Sequence, residues 1–306
     1  MTAVTLSPVR RRAIRDGLLV AGLLLNALNV FVWGPSLVLF ADTLGWRQMN
    51  LADLYGPAEA FLALPSHHDA GAFLWSPAAA YAFLPLTWLP EPGPILAFLA
   101  IDLAALAVLG RRWALILLVA FPPVLLELEN GNIHLLLALA IWAGLRWPAA
   151  WAFVLLTKVT PGIGLIWFAA RREWRNLAVA IGLTAAIAAV SFVLTPGLWF
   201  DWIQYLQHAS AAPPATILPP LLVRLPIAAA VAWYAGRTDR AWLIPVAALI
   251  AMPSIWIQSL AMLTACFPLW WDRARWSRAT ERTTASADLV PPAKAERVPA
   301  TGAEAT

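Results

Sequence analysis

Hydrophobic positions in this chain form long uninterrupted runs instead of alternating with polar ones. Residues 17–41, 95–110 and 177–194 contain at most one charged residue per run. About 20 consecutive apolar residues are enough for a helix to cross a bilayer. Further runs cover 76–90, 113–126, 133–147, 149–170, 217–235 and 241–271. The pattern predicts an all-α, polytopic membrane protein with about eight to ten transmembrane helices.

Polar segments divide the chain. Residues 1–16 are predicted to be a basic cytoplasmic arm, because Arg10 to Arg15 precede the first run and positive charge stays inside. Residues 17–271 form the predicted transmembrane domain, with 42–74 as its first outer loop and 196–216 as a second. Residues 272–306 are rich in Ala, Thr, Pro and charge, which predicts a disordered tail.

One pair of arginines conflicts with this alternation. Counting spans from the N-terminus places 171–175 and 237–240 inside, as expected, but places Arg111 and Arg112 outside. Either a short segment within 76–147 is re-entrant, or this pair is an exception to the rule. The side of the membrane on which residues 129–132 lie depends on the answer.

Composition supports the membrane assignment and excludes other classes. The 306 residues are 61% hydrophobic and 12% charged, whereas soluble domains are about 45–50% apolar and about 25% charged. A soluble enzyme, a disulfide scaffold and a disordered regulator are therefore excluded. The net charge of +4 comes from arginines beside apolar runs, which indicates orientation and not nucleic-acid binding. The 18 tryptophans cluster at run ends as an interfacial belt.

Lys158 is a charged residue well inside an apolar run, in LLTKVTPG. Pro161 lacks an N–H and clashes with the preceding turn, so the helix is predicted to break there. A lysine beside a broken helix makes a fixed cationic pocket that suits a phosphate or another anion. The alternative is a structural ion pair with Glu127 or Glu129.

The segment ELENGNIHLLL, after Pro122 and Pro123, holds a second polar group. Two carboxylates, two amides and His134 fall within eight positions at an apolar edge. They form either a functional cluster or a polar helix cap. By contrast, the run His67–His68–Asp69 does not indicate a metal site, because adjacent histidines point apart on most backbones.

Three further charged residues have open roles. Asp102 lies alone in an apolar run. It is either a packed carboxyl that pairs with another helix or a functional group. Arg224 could snorkel or pair with Asp102. Asp53, in the first outer loop, is either a solvated loop acid or a general base for a hydroxyl acceptor.

Four blocks, covering roughly residues 40–200, make the chain similar to a known family. They are Asp53-Leu54-Tyr55 with PAEAFLAL, then FLWSPAAAYAFLPLTWLP, then Gly131-Asn132-Ile133-His134 with LLLALA, and LLTKVTPGIGLIWFAARREWR. The chain resembles glycosyltransferase family 87, the polyprenol-phosphate-mannose-dependent mannosyltransferases of the GT-C superfamily. In the third block, many relatives have Gly-Gln-x-Asn.

The resemblance implies a GT-C-like fold and a hexosyltransferase that moves mannose, or another hexose, from a polyprenyl-phosphate donor to a glycolipid or glycan. Asp53 matches the family's catalytic Asp and would act as the base of an inverting displacement, with Asp42 as the other candidate. The residues expected to bind substrate are Tyr55, Asn132, His134, Lys158 and His208. No metal, cofactor or nucleic acid is expected. The expected location is a bacterial plasma membrane, with the site on its outer face.

The sequence is also compatible with two other functions. A transporter or lipid flippase could use Lys158, Asp102 and Arg224 along a path through broken helices, although no internal repeat is visible. A non-catalytic family member could bind lipid-linked sugars only.

Overall fold

The computed structural model describes residues 8–33, 75–90, 92–211 and 219–272. Regular structure in these ranges consists of α-helices and 3₁₀ segments without a strand, which confirms the predicted all-α class. The helices are α1 Pro8–Trp33, α2 Pro77–Phe83, α3 Gly93–Gly110, α4 Ala114–Ala120, α5 Pro122–Asn130, α6 His134–Gly144, α7 Trp151–Thr157, α8 Ile166–Ala170, α9 Trp174–Leu194, α10 Pro196–Ala211, α11 Leu221–Arg237, α12 Leu243–Ile250 and α13 Cys266–Trp271. The 3₁₀ segments are Leu84–Trp88, Arg111–Trp113, Pro148–Ala150, Thr160–Leu165 and Ile257–Ala265.

Two helical stretches in the described ranges are long and apolar enough to cross a membrane. They are Gly93–Ala120, with 28 residues, and Trp174–Leu194, with 21. A third candidate is the pair α5 and α6, bent by 113° at their junction. Most other apolar runs fold as shorter helices, because prolines such as Pro148 and Pro161 begin new segments inside them. The total of eight to ten spans therefore stays a prediction.

Helix α9 shows what a lipid-facing span looks like in this bundle. Only Ala180 and Ser191 are buried along its length. Val193 is 79% exposed and Val190 is 61% exposed. A helix that is apolar all round and left uncovered by the described residues is typical of a lipid-facing span, so the exposure of α9 supports the membrane assignment.

Within the candidate second outer loop, 196–216, the described residues form the helix α10, which extends to Ala211. Pro196 stands at its first position, where a proline costs no hydrogen bond. Leu198 and Tyr205, seven residues apart, are buried, and Trp202 between them is partly buried. This helical spacing gives α10 one face that packs on the bundle.

The core is built around Trp151 at the start of α7, which is fully buried. Gly144 and Gly164 lie against its indole. A Cβ atom at Gly144 would come within 2.8 Å of the ring, and one at Gly164 would also clash with it. The two glycines thus let α6 and the 3₁₀ segment Thr160–Leu165 approach Trp151 closely. This packing fixes the positions of the two helix interruptions that flank α7, at Pro148 and at Lys158.

The basic turns gather at one end of the bundle. Arg171 forms ion pairs with Glu173 and Asp239, which joins the 171–175 and 237–240 turns. Arg111 pairs with Asp272 at 3.1 Å. Trp270, at the end of α13 and close to Asp272, packs on Trp242, which follows the 237–240 turn; their ring centroids are 5.2 Å apart. Helix α13 therefore connects Arg111 with the 237–240 turn.

This grouping bears on the arginine pair that conflicts with simple alternation. Arg111 and Arg112 lie at the same end as the other basic turns and not at the opposite end, as simple alternation required. This placement is compatible with a segment within 76–147 that does not cross the bundle fully, and the topology of this region stays a prediction. The 113° bend between α5 and α6 lies in that range.

Candidate functional site

The junction between α5 and α6 is a sharp break with a local cause. Gly131 adopts φ 65° and ψ 40°, the left-handed conformation that a side chain disfavours and that commonly ends a helix. Its N–H donates to the Glu127 carbonyl at 2.9 Å, which closes the last turn of α5. The Asn132 Oδ1 atom accepts the N–H of Ile133 at 2.7 Å. The chain then starts α6 at His134 in a new direction.

The Glu127 side chain closes this break from the inside. One carboxylate oxygen accepts the backbone N–H of His134, and the other lies 2.8 Å from its Nδ1 atom. Glu127 is 0% exposed and His134 is 1% exposed. A carboxylate at the N-terminus of α6 satisfies a backbone donor that has no partner within its own helix. The pair is therefore a helix cap and a buried acid–imidazole contact at once.

Lys158 approaches the same imidazole from the other edge. Helix α7 ends at Thr157, and Lys158 has the extended values φ −139° and ψ 105°. The predicted break before Pro161 is confirmed, since Thr160–Leu165 continues as a 3₁₀ segment. The Nζ atom of the half-buried Lys158 lies 3.1 Å from His134 Nε2. Two broken helices thus bring a cation, an imidazole and a carboxylate into one chain of contacts.

Ser259 completes the cluster from a distant part of the sequence. It lies in the 3₁₀ segment Ile257–Ala265 and is fully buried. Its Oγ atom is 3.2 Å from His134 Nε2 and accepts the N–H of Trp256 at 3.2 Å. A single serine in an apolar run carries no distinctive sequence signal, and it lies 125 residues from its partner. Sequence reasoning therefore missed it.

Asp102 on α3 is the other buried acid near this cluster. It is 0% exposed, and neither carboxylate oxygen has a hydrogen-bond partner among the described residues. The charge of Glu127 acts on it electrostatically. The alternative in which Arg224 pairs with Asp102 is wrong, because Arg224 donates to the carbonyls of Pro219, Ile250, Met252 and Pro253 at 2.7–2.9 Å. Three of these carbonyls, those of Ile250, Met252 and Pro253, lie at or just after the end of α12, where no further helical turn supplies N–H donors.

The structure brings together some of the predicted substrate-binding residues. His134 and Lys158 are in contact, and Asn132 lies in the turn that precedes His134. His208 is on α10, with its side chain outside the description. Asp53, Tyr55 and Asp42 lie outside the described residues. The roles of all these residues stay predictions.

No three His, Cys, Asp or Glu side chains in the described part of the chain could hold a metal ion together. The run from His67 to Asp69 lies outside it.

An apolar groove of about 400 Å³ lies between α2 and α9. Its lining includes Ala78, Tyr81, Ile187 and Val190. Close by, the Ser76 hydroxyl donates to the Leu156 carbonyl at 2.6 Å and ties the start of α2 to the last turn of α7. The groove is therefore built next to the helix that ends at Lys158.

Comparison with known proteins identifies the family. The model of glycosyltransferase family 87 matches residues 73–290. This range contains Asn132, His134, Lys158 and His208, and it starts after Asp53 and Tyr55. No curated protein and no solved structure matches the chain. The family match covers more than half of the sequence, so the chain belongs to glycosyltransferase family 87 and is a membrane glycosyltransferase.

Proposed function

We propose that this glycosyltransferase moves a hexose, mannose in the first instance, from a polyprenyl-phosphate donor to a glycolipid or glycan acceptor. The reaction would take place on the outer face of a bacterial plasma membrane. The observation that carries the proposal is the half-buried Lys158, held at a helix break by His134 within an apolar helical bundle. Such a setting suits a donor with an anionic head and a lipid tail.

The leaving group defines what Lys158 would do. Breaking the bond between the sugar and a polyprenyl phosphate adds negative charge to the phosphate as the bond breaks. A cation fixed in a site of low dielectric stabilises charge that develops in the transition state. The ammonium of Lys158 carries three N–H donors and is a compact point charge. It would therefore contribute most as the phosphate leaves.

The tail of the donor needs an apolar surface next to that cation. The groove between α2 and α9 is lined by alanine and aliphatic side chains and by Tyr81. Its position beside α7 supports a path on which an isoprenoid chain lies against α9 while its phosphate approaches Lys158.

Activation of the acceptor is assigned to Asp53 as general base, by resemblance to the family. A carboxylate within reach of the acceptor hydroxyl would take its proton as the oxygen attacks the anomeric carbon, with inversion there. Asp53 precedes the matched range, so its role needs a test that is independent of the role of Lys158.

The test is transfer of radiolabelled mannose from polyprenyl-phosphate-mannose to lipids in membranes that contain the wild-type chain, Asp53→Asn or Asp42→Asn. Asp42→Asn is the matched control, because both acids lie in the same predicted loop. We expect a labelled product with wild type and Asp42→Asn and none with Asp53→Asn. Loss in Asp42→Asn alone would move the base to Asp42. No product with the wild-type chain, while another sugar from the same lipid carrier is transferred, would overturn mannose as the sugar.

A further inference from the structure

The protonation state of His134 follows from its neighbours. Glu127 faces Nδ1, and a carboxylate accepts hydrogen bonds, so Nδ1 carries a proton and donates. A second proton on Nε2 would point at the Lys158 ammonium, 3.1 Å away, and would bring two like charges together. The ring is therefore neutral, and Nε2 is a hydrogen-bond acceptor.

Nε2 has one lone pair but two donors within reach. Lys158 Nζ lies at 3.1 Å and Ser259 Oγ at 3.2 Å. The Ser259 oxygen already accepts the N–H of Trp256, so the hydroxyl proton remains for donation to Nε2. A single lone pair makes one good hydrogen bond at a time, and the two donors therefore compete for it.

We propose that Ser259 and Lys158 exchange at this lone pair during catalysis. When the donor's phosphate arrives, Lys158 Nζ turns from Nε2 to a phosphate oxygen, and the Ser259 hydroxyl replaces it on the ring. Glu127 keeps the ring in the orientation that permits the exchange. Ser259 and Glu127 are thus positioning residues that act through His134 on Lys158. This inference rests on the proposed function, in which Lys158 binds the phosphate of the donor.

Burial explains why a replacement donor matters. His134 is 1% exposed, and Ser259 and Glu127 are 0% exposed. Water is therefore a poor substitute when Lys158 leaves, and an unpaired buried acceptor is costly. With Ser259 present, the ammonium can leave without that cost, which favours binding of the phosphate.

A matched control lies on the same 3₁₀ segment. Thr264 is also fully buried, and its hydroxyl donates to the Ala261 carbonyl of its own segment at 2.7 Å. Thr264→Val removes a buried hydroxyl from the same element without touching His134. Any general effect of a lost hydroxyl on Ile257–Ala265 would therefore appear in Thr264→Val as well.

The experiment compares the full-length wild-type chain with Ser259→Ala, Ser259→Thr and Thr264→Val in detergent micelles. Binding of polyprenyl-phosphate-mannose and the KM and kcat of mannose transfer are measured, with the melting temperature of each variant. We expect Ser259→Ala to weaken donor binding and to raise the donor KM about threefold to tenfold, the effect of one hydrogen bond. Since Lys158 still reaches the phosphate once the donor is bound, kcat should not change. Ser259→Thr should restore wild-type values, and Thr264→Val should match wild type.

Three outcomes would overturn the exchange. One is an unchanged donor affinity in Ser259→Ala while Lys158→Met loses binding. Another is an equal rise of KM in Ser259→Ala and Thr264→Val, which indicates a purely structural role. The third is a fall in kcat at unchanged KM. If Ser259→Ala does not fold, Ser259→Cys replaces it, because a thiol is similar in size and a weaker hydrogen-bond donor. Its donor KM should lie above that of wild type and below ten times that value. A wild-type donor KM in Ser259→Cys would also contradict the exchange. Failure of the wild-type chain to bind any polyprenyl phosphate would instead overturn the proposed function, together with the inference built on it.

Discussion

Glu127 on α5 and Asp102 on α3 are both completely buried and lie near each other, yet their hydrogen bonding differs. The two oxygens of Glu127 contact the backbone N–H and the Nδ1 of His134. The two oxygens of Asp102 have no hydrogen-bond partner among the described residues. The bundle thus holds one buried acid with two hydrogen-bond donors and, near it, a second buried acid with none among the described residues.

The backbone around each acid explains the difference. Helix α3 continues from Gly93 to Gly110, so the amides near Asp102 are used within the helix. At Gly131 the chain breaks, and the first amides of α6 have no partner in their own helix. Glu127 accepts one of them. In a low-dielectric bundle, a helix break supplies the donors that a buried acid needs, whereas an unbroken helix does not.

The largest effect should come from replacing Glu127. In Glu127→Leu, the N–H and Nδ1–H of His134 lose their acceptor inside the protein. We expect the free energy of unfolding to fall by roughly 2–4 kcal/mol and transfer activity to be lost. The measurement is thermal unfolding in detergent together with mannose transfer. Asp102→Leu is the matched control and should be at least as stable as wild type; equal destabilisation of the two variants would contradict the comparison.

Lys158→Met distinguishes a catalytic from a structural role of the lysine at the end of α7. The variant keeps a long side chain and removes the charge, and the Ser259 hydroxyl can still donate to Nε2. We expect kcat to fall about 100-fold, as when one stabilising donor is removed from a developing anion, while the melting temperature stays close to that of wild type. A lowered melting temperature in a variant that retains full specific activity would show that Lys158 is structural.

Sequence reasoning reached the part of this picture that is local. The proline break after Lys158, and the grouping of Glu127 with His134 over seven residues, follow from spacing alone. Contacts between distant segments were out of its reach. Ser259 meets His134 across 125 residues, and Arg224 finds carbonyls 26–29 residues away instead of Asp102. Hydropathy also marks apolar runs without showing where prolines divide them into short helices.

Gly131→Ala tests the break itself and should have a smaller effect. The position needs φ 65°, which costs an L-residue roughly 1–2 kcal/mol. The variant should therefore lose about 1 kcal/mol of stability, measured by thermal unfolding in detergent. Gly182→Ala on α9 is the matched control, because a Cβ there meets nothing within 4 Å. Equal destabilisation of Gly131→Ala and Gly182→Ala would show that the left-handed conformation at Gly131 has no particular energetic cost.

Asp102→Asn should have the smallest effect of all and is the sharpest test of the comparison. The carboxylate makes no hydrogen bond to the described chain, so the change to an amide removes no such contact. Stability should therefore stay within about 0.5 kcal/mol of wild type. Glu127→Gln is the paired variant, which keeps one acceptor and should lose stability. If Asp102→Asn melts at the wild-type temperature but transfers no sugar, Asp102 takes part in the reaction, and the unbroken helix contributes to the site as directly as the broken one.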